Sequence, residues 1–180
     1  SVVEQTYENW ELIFWDNNSN DNSKSIFQSY NESRFFYFKS SKTTTLFQAR
    51  NEALKKSKGE FISFLDTDDL WDKEKLLKQL EAFNDQSIKL VYSKYWIIEK
   101  NKPKLLNSNK FLPSGKITNY LLADYIIGFS TIMLRKESIN INEPVFNSDF
   151  TVAGDFDFII KMSTTNNFKG IQEALVSYRV

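Results

Sequence analysis

The acidic residues Asp66, Asp68 and Asp69 have the types and spacing of a cation site. They directly follow the apolar run at residues 60–65, which predicts a buried strand. Carboxylates this close repel each other and raise each other's pKa unless a cation lies among them. Oxygen ligands alone suit Mg²⁺ or Mn²⁺, with a substrate phosphate completing the coordination. The alternative is that one acid caps the next helix and the others are solvated, but capping accounts for only one of them.

A second polar loop begins at Asp16 and Asn17, after the apolar run at residues 11–15. An EF-hand interpretation fails, because Asp21 stands where that loop needs glycine and Phe27 where it needs a bidentate glutamate. Taken alone, the loop is an Asx-rich turn. The apolar runs at 11–15 and 60–65 both predict parallel strands of one sheet. The loops that follow them would then lie at the same edge of that sheet, which favours a ligand site there.

Two further residues are candidates on weaker grounds. Arg50 lies in a predicted helix, where its partner is either a phosphate or, by default, a surface carboxylate. Asp155 follows Gly154 at the start of another predicted helix, so its default role is that of the N-cap. On the residues alone, nothing makes Asp155 a general base.

The amino-acid composition narrows the chemistry that the chain can perform. The 180 residues include no histidine and no cysteine, which excludes Ser-His-Asp triads, His-ligated zinc, thiolate sites and disulfides. The 23 basic residues balance 23 acidic ones, so no net field favours nucleic acid as a partner. No apolar segment reaches the roughly 18 residues of a membrane-spanning helix. Catalysis would therefore depend on carboxylates, hydroxyls, lysine or arginine.

The hydrophobic pattern predicts the elements that position these residues. Strand, helix, strand, helix and strand alternate up to residue 65, which is typical of a parallel sheet with crossover helices. A helix capped by Asp72 and a strand at residues 89–99 follow, and then a polar, irregular segment at 100–113. We further predict helices at 117–125 and from Gly154, and strands at 130–134 and 171–178. The length fits one α/β domain.

Five segments together resemble the family 2 glycosyltransferases, which have the GT-A fold. They are residues 1–7, 10–23, 49–51 (Ala-Arg-Asn), 58–71 (ending in Asp-Thr-Asp-Asp-Leu-Trp) and 154–158. The resemblance implies a GT-A-type, Rossmann-like, mostly parallel sheet flanked by helices. Residues 1–99 would bind the nucleotide sugar, and residues 100–180 would form a smaller, mixed acceptor-side lobe that shares the same core.

The resemblance implies transfer of a sugar from a nucleoside diphosphate sugar, with a UDP-sugar as the first candidate, to an acceptor hydroxyl with inversion. Asp68 would contact the ribose, and Asp69 would hold the Mg²⁺ or Mn²⁺ that neutralises the leaving diphosphate. Asp155 matches the family's catalytic base, which takes the proton of the acceptor. The implied cofactor-binding residues are Asp16, Asn17, Arg50, Asp66 and Asp68, and the implied metal ligands are Asp68 and Asp69.

The resemblance also implies a cellular setting. Such an enzyme would build a bacterial cell-surface polysaccharide or glycan on a glycan or lipid-linked acceptor. It would act in the cytoplasm or at the inner face of the membrane, where it would associate peripherally.

The sequence departs from the family pattern in three places. Asn17 stands where the family has an Asp that accepts a hydrogen bond from the base ring, so that acceptor carries no charge here. Residues 43–48 replace the glycines that normally precede Ala-Arg-Asn. The family's first strand is expected before Ser1 and its acceptor-side loop after Val180, which is the pattern of an internal fragment.

Two alternatives stay open at this point. A sugar nucleotidyltransferase has a similar half-sheet, but it needs a glycine-rich loop with a basic residue, which these residues do not contain. An inactive, truncated GT-A domain would keep the fold without turnover. The enzymatic interpretation requires that Asp68, Asp69 and Asp155 face one shared cleft.

Overall fold

A computed structural model describes residues 1–99, 102–105 and 110–180, and these form two compact units. Unit 1 comprises Ser1–Glu8, Phe61–Ser138 and Ile159–Val180, and unit 2 comprises Asn9–Glu60 and Ile139–Phe158. Both units draw on the chain before and after residue 99. The division into a donor-binding part at 1–99 and an acceptor-side part at 100–180 concerns function and stays a prediction.

The helices and strands follow one another in a mixed order. They are β1 (Leu12–Asp16), α1 (Ser23–Ser29), β2 (Phe35–Lys39), α2 (Leu46–Leu54), β3 (Phe61–Ser63), β4 (Leu70–Trp71), α3 (Lys75–Glu81), β5 (Ile88–Glu99), β6 (Lys102–Leu105), α4 (Thr118–Ala123), β7 (Met133–Arg135), α5 (Gly154–Thr165) and β8 (Asn167–Arg179), with 3₁₀ turns at Phe129–Thr131 and Lys136–Ser138.

Unit 2 contains a parallel pair of strands, β1 and β2, with Phe14 opposite Tyr37. Phe27 of α1 packs on the ring of Phe14 at 5.0 Å between centroids, so the aromatic side chains of the predicted strands form a local core. Helix α2 begins with a capping box. The Thr45 hydroxyl accepts from the Gln48 N–H, and the Gln48 side chain accepts from the Thr45 N–H.

Unit 1 contains a six-stranded mixed sheet in the order β3-β7-β5-β8-β4, with β6 paired to β5. Strands β5 and β8 are parallel, whereas the other pairings are antiparallel. Strand β7 lies between β3 and β5 and is antiparallel to both, so β3 and β5, which share a direction, do not pair with each other. The sheet is therefore mixed rather than mostly parallel, and β1 and β3 lie in separate sheets instead of the single one expected.

The centre of unit 1 is apolar. Leu90, Val91 and Tyr92 of β5 are fully buried, and Leu134 of β7 pairs with Leu90. Each fully buried leucine stabilises the fold by about 1.5–3 kcal/mol relative to an exposed one. Within the described parts of the chain, no helix is both long and apolar enough to cross a membrane.

Several predicted boundaries differ from the observed ones. Helix α3 begins at Lys75 rather than after Asp72, because the Asp72 carboxylate accepts from the Glu74 N–H and closes a turn there. The irregular segment predicted at 100–113 contains β6, while its residues 100, 101 and 106–109 lie outside the described residues. The strand predicted at 130–134 is a 3₁₀ turn followed by β7.

Candidate functional site

The acidic loop lies between β3 and β4 of unit 1 and places its three carboxylates in different environments. The Asp69 N–H donates to the Asp66 carbonyl at 3.0 Å, which closes a turn. Asp68 is exposed and Asp66 is half-buried, whereas Asp69 is only 3% exposed. The loop therefore presents one solvated and one buried carboxylate side by side.

The buried carboxylate of Asp69 is held by two hydrogen bonds. The Ser130 hydroxyl donates to Oδ2 at 2.5 Å, and the Arg179 backbone N–H donates to Oδ1 at 3.3 Å. The Arg179 side chain also donates from Nε to the Asp68 carbonyl. Burial raises the pKa of Asp69. The two hydrogen bonds oppose this rise without cancelling it, and the charges of Asp66 and Asp68 add to it.

The donor atoms of this loop fit a hard divalent cation that arrives with a diphosphate. Mg²⁺ is usually held by one or two carboxylates together with waters and substrate phosphates. Asp68 and Asp69 supply two such carboxylates, and each oxygen of Asp69 keeps a lone pair beyond its hydrogen bond. Among the described residues, no group of three or more acidic side chains converges as a complete metal site.

Two side chains of the segment that follows the acidic loop hold the backbone of Ser130 and its neighbour Thr131. Its carbonyl accepts from Trp71 Nε1 at 3.0 Å, and the carbonyl of Thr131 accepts from Gln79 Nε2 at 2.7 Å. The fully buried Lys75 donates to Gln79 Oε1 at 2.6 Å, and its Nζ lies 4.1 Å from the centre of the Trp71 ring. No local pattern in the sequence indicates Ser130, because its partners are distant in the chain.

Asp16 lies at the end of β1 in unit 2 and is 3% exposed. The Tyr37 hydroxyl donates to Oδ2, the Ser19 N–H donates to Oδ1 at 2.6 Å, and Lys39 Nζ lies 3.9 Å from Oδ2. Burial alone would raise the pKa of Asp16, but these hydrogen bonds and the nearby ammonium outweigh it and lower the pKa. Asp16 is thus a buried carboxylate that orders its own loop.

The side-chain amide of Asn17 binds Thr44, the residue that precedes the cap of α2. Asn17 Oδ1 accepts from the Thr44 N–H at 3.0 Å and from its hydroxyl at 2.8 Å, and Asn17 Nδ2 donates to the Thr44 carbonyl at 2.8 Å. Both lone pairs of the Asn17 carbonyl are therefore engaged. A nucleotide base that donated a hydrogen bond to this carbonyl would have to compete with Thr44. The binding of a base by Asn17 stays a prediction.

Arg50 and Asp155 also belong to unit 2. The Arg50 guanidinium lies 5.8 Å from the centre of the Phe47 ring. The Asp157 N–H donates to the Ala153 carbonyl at 3.0 Å, so α5 begins at Gly154 and Asp155 lies inside its first turn. The expectation that Asp155 is the N-cap is wrong. Its half-buried carboxylate is nevertheless at the end of the helix that favours negative charge.

The structure thus brings the acids of residues 66–69 together in unit 1. It places Asp16, Asn17, Arg50 and Asp155 in unit 2. Their assignment to one nucleotide-sugar site stays a prediction, as does the shared cleft.

One known protein family matches most of the chain. The family described as "Glycosyl transferase family 2" matches residues 1–141. The chain belongs to glycosyl transferase family 2. The resemblance seen in the sequence motifs is thereby confirmed.

Curated relatives of this family 2 chain include two bacterial proteins. One is the UDP-Glc:alpha-D-GlcNAc-diphosphoundecaprenol beta-1,3-glucosyltransferase WfgD of Escherichia coli, which is 34% identical over 172 residues, 95% of this chain and 65% of WfgD. The other is TuaG of Bacillus subtilis (strain 168), named as a teichuronic acid biosynthesis glycosyltransferase. It is 30% identical over 185 residues, all of this chain and 71% of TuaG. The chain therefore spans about two thirds of these relatives.

Solved structures confirm the α/β, GT-A-type fold. Staphylococcus aureus TarS 1-349 in complex with UDP superposes with a TM-score of 0.79 at 22% identity, over 99% of this chain and 54% of TarS 1-349. The mannosyltransferase PcManGT of Pyrobaculum calidifontis, in complex with GDP-Man and Mn²⁺, gives 0.74 at 16% identity, over 98% of this chain and 50% of its own.

Proposed function

We propose that this family 2 protein transfers a sugar from a nucleoside diphosphate sugar to an acceptor hydroxyl, with inversion at the anomeric carbon. The observation that carries the proposal is the acidic loop between β3 and β4, where the exposed Asp68 adjoins the buried and hydrogen-bonded Asp69. Family membership of residues 1–141 supports the same reaction class. A sugar nucleotidyltransferase is correspondingly disfavoured.

The acidic loop would hold the donor. Asp68, which is exposed, would contact the ribose, and Asp69 would be the principal ligand of Mg²⁺ or Mn²⁺, with Asp66 shaping the turn. A divalent cation bound there neutralises the charge that the diphosphate gains as it leaves. The hydrogen bonds from Ser130 and Arg179 hold the Asp69 carboxylate in one orientation before the donor arrives.

Asp155 would act as the general base. The acceptor oxygen attacks the anomeric carbon, the bond from that carbon to the diphosphate oxygen breaks on the opposite side, and the acceptor proton passes to the Asp155 carboxylate. One oxygen of that carboxylate accepts from the Phe156 N–H at 2.9 Å, which restricts its rotation. Arg50, Asp16 and Asn17 complete the donor side in this proposal.

The names of the relatives suggest the substrate classes. WfgD is named for UDP-Glc and for a diphosphoundecaprenol acceptor, and TarS has been solved with UDP and with UDP-GlcNAc. We therefore propose a UDP-sugar donor and a glycan or lipid-linked acceptor, in the synthesis of a bacterial cell-surface polysaccharide. Such a reaction takes place on the cytoplasmic side, at the inner face of the membrane.

A thermal-shift titration tests the donor site. UDP with Mn²⁺ should raise the melting temperature of the wild-type protein more than either alone, and Asp69→Asn should abolish the metal-dependent part. Asp85→Asn, which alters an exposed acid of unit 1, is the matched control and should respond as the wild type does. If no nucleoside diphosphate stabilises the protein in a metal-dependent way, the donor site is assigned wrongly. Donor binding without any transfer would indicate the inactive domain.

A further inference from the structure

We infer that Phe47 and Asn51 of α2 are positioning residues for Asp155. The inference rests on the proposed role of Asp155 as the base and extends it to α2, the helix that carries the Ala-Arg-Asn segment. Both residues are buried, and both contact the segment that leads into α5.

The backbone of Gly154 packs directly on the ring of Phe47. A Cβ atom at position 154 would lie 2.6 Å from two atoms of that ring, and contacts below 3.0 Å essentially never occur for real Cβ atoms. Glycine is thus needed here for the close approach of α5 to the ring. Because Asp155 is the next residue, the same contact determines where its backbone lies.

The Phe47 ring has little freedom to move away. It is 2% exposed and stacks on the ring of Phe146, with 6.0 Å between the centroids. Phe146 is completely buried, and its ring also contacts that of Phe158 in α5 at 4.9 Å. A side chain at position 154 would therefore displace either α5 or a packed aromatic cluster.

Asn51 fixes Phe146 through the backbone. Asn51 Nδ2 donates to the Phe146 carbonyl at 2.8 Å, and Asn51 Oδ1 accepts from the Phe146 N–H at 2.9 Å. The amide thereby satisfies both backbone polar groups of a residue that is out of reach of water. Its removal would leave these two groups without their partners in the interior.

Helix α2 consequently holds both ends of the segment from Phe146 to Gly154. Within this segment Ala153 has a φ of +58°, in the left-handed region that a residue with a Cβ atom rarely adopts. Such a conformation persists only where the surroundings enforce it. The contacts of Phe47 and Asn51 supply that enforcement, and they set the first turn of α5 before the acceptor binds.

A general base must lie within hydrogen-bond reach of the proton that it takes. Displacement of a reacting group by about 1 Å can lower the rate by about 100-fold. A change at the contact between Phe47 and Gly154 should therefore lower kcat and leave the donor KM nearly unchanged, since Asp155 acts on the acceptor.

A compensating pair of variants provides the test. Gly154→Ala should lower kcat at least about tenfold, with the donor KM within about twofold of the wild-type value. Phe47→Leu removes the two ring atoms, Cε2 and Cζ, that would lie 2.6 Å from the new methyl group, so the double variant should recover most of the lost kcat. Glu52→Gln, a neighbouring change on α2, should leave both constants unchanged.

Hydrogen exchange gives a second readout that does not depend on activity. The Asp157 N–H bonds to the Ala153 carbonyl in the first turn of α5, so its exchange should quicken in Gly154→Ala and slow again in the double variant. Should Gly154→Ala fail to fold, Asn51→Ser serves in its place, and the same amide should exchange faster.

The inference is overturned if Gly154→Ala retains the wild-type kcat and amide exchange, or if Phe47→Leu restores neither. Failure of the proposed function is distinguishable from this result. In that case the wild-type protein transfers no sugar, while exchange at Asp157 still reports whether α2 positions the start of α5.

Discussion

The buried carboxylate of Asp69 accepts a hydrogen bond from the hydroxyl of Ser130, 61 residues later in the chain, at 2.5 Å. This bond joins the acidic loop to the 3₁₀ turn before β7, and Trp71 holds the same turn through the Ser130 carbonyl. The loop that the sequence predicted to bind a cation is thus supported by a side chain from a segment that the sequence predicted only to be a strand.

Replacing Ser130 by alanine should destabilise the protein and weaken the binding of Mn²⁺ with UDP. The change leaves a buried carboxylate without its hydroxyl donor, which costs about 1–3 kcal/mol. Urea unfolding and the thermal shift with Mn²⁺ and UDP measure the two effects. Ser138→Ala, in which the lost hydroxyl donates only to a backbone carbonyl, is the control. Equal losses in both variants would show that Asp69 does not depend on Ser130.

The pair of Asp16 and Tyr37 should stabilise the protein in a pH-dependent way. The pKa of Asp16 is lowered in the folded state, so its hydrogen bonds stabilise the fold above the ordinary pKa of 3.8 and lose that effect as the pH falls through the folded-state value. Burial raises the pKa of Tyr37 to about 12, and the hydrogen bond to Asp16 and the charge of Asp16 add to the rise.

Tyr37→Phe should therefore lower the free energy of unfolding at neutral pH, because the Asp16 carboxylate loses a hydrogen-bond donor. The difference from the wild type should narrow in acid, where Asp16 is protonated. Urea unfolding at neutral and at acid pH measures it, with Tyr30→Phe, an exposed tyrosine, as the control. A difference that does not change with pH would contradict the role of the Asp16 charge.

Because of Lys75, the free energy of unfolding should increase as the pH rises toward 10.5. Burial lowers the pKa of Lys75 well below 10.5, so the unfolded chain binds a proton that the folded protein lacks between the folded-state pKa and 10.5. The free energy of unfolding therefore rises with pH across that window. In Lys75→Met this rise should be absent, whereas Lys73→Met, at an exposed position, should retain it. Parallel pH profiles for Lys75→Met and the wild type would contradict the lowered pKa of Lys75.

The sequence predicted the elements of unit 2 well, because β1, β2 and α2 carry local signals. Apolar runs define the strands, and Thr45 with Gln48 forms a capping box that depends only on neighbours in the chain. The strand β4 was missed because two residues carry no periodicity, and its pairing with β8 involves residues more than a hundred positions later.

The sequence predicted the acidic loop of the candidate site, but not the side chains that hydrogen-bond to its carboxylates. Residue type and spacing identified Asp69, whereas Ser130 and Tyr37 act on carboxylates from distant segments that no local pattern connects. The N-cap expected at Asp155 was two positions too late, since α5 begins at Gly154 and the left-handed Ala153 directly precedes it. Such backbone conformations are set by tertiary contacts and leave no signal in hydrophobic periodicity.

Sugar transfer by Asp155→Asn tests the central claim most directly. With a UDP-sugar, Mn²⁺ and a lipid-linked acceptor, the wild-type protein should form an inverted glycoside. Asp155→Asn should lose at least about 100-fold in kcat while it keeps the thermal shift with UDP and Mn²⁺. Asp149→Asn, an exposed acid of the same segment, should behave as the wild type does. Full activity of Asp155→Asn, or no transfer by the wild type, would contradict the account.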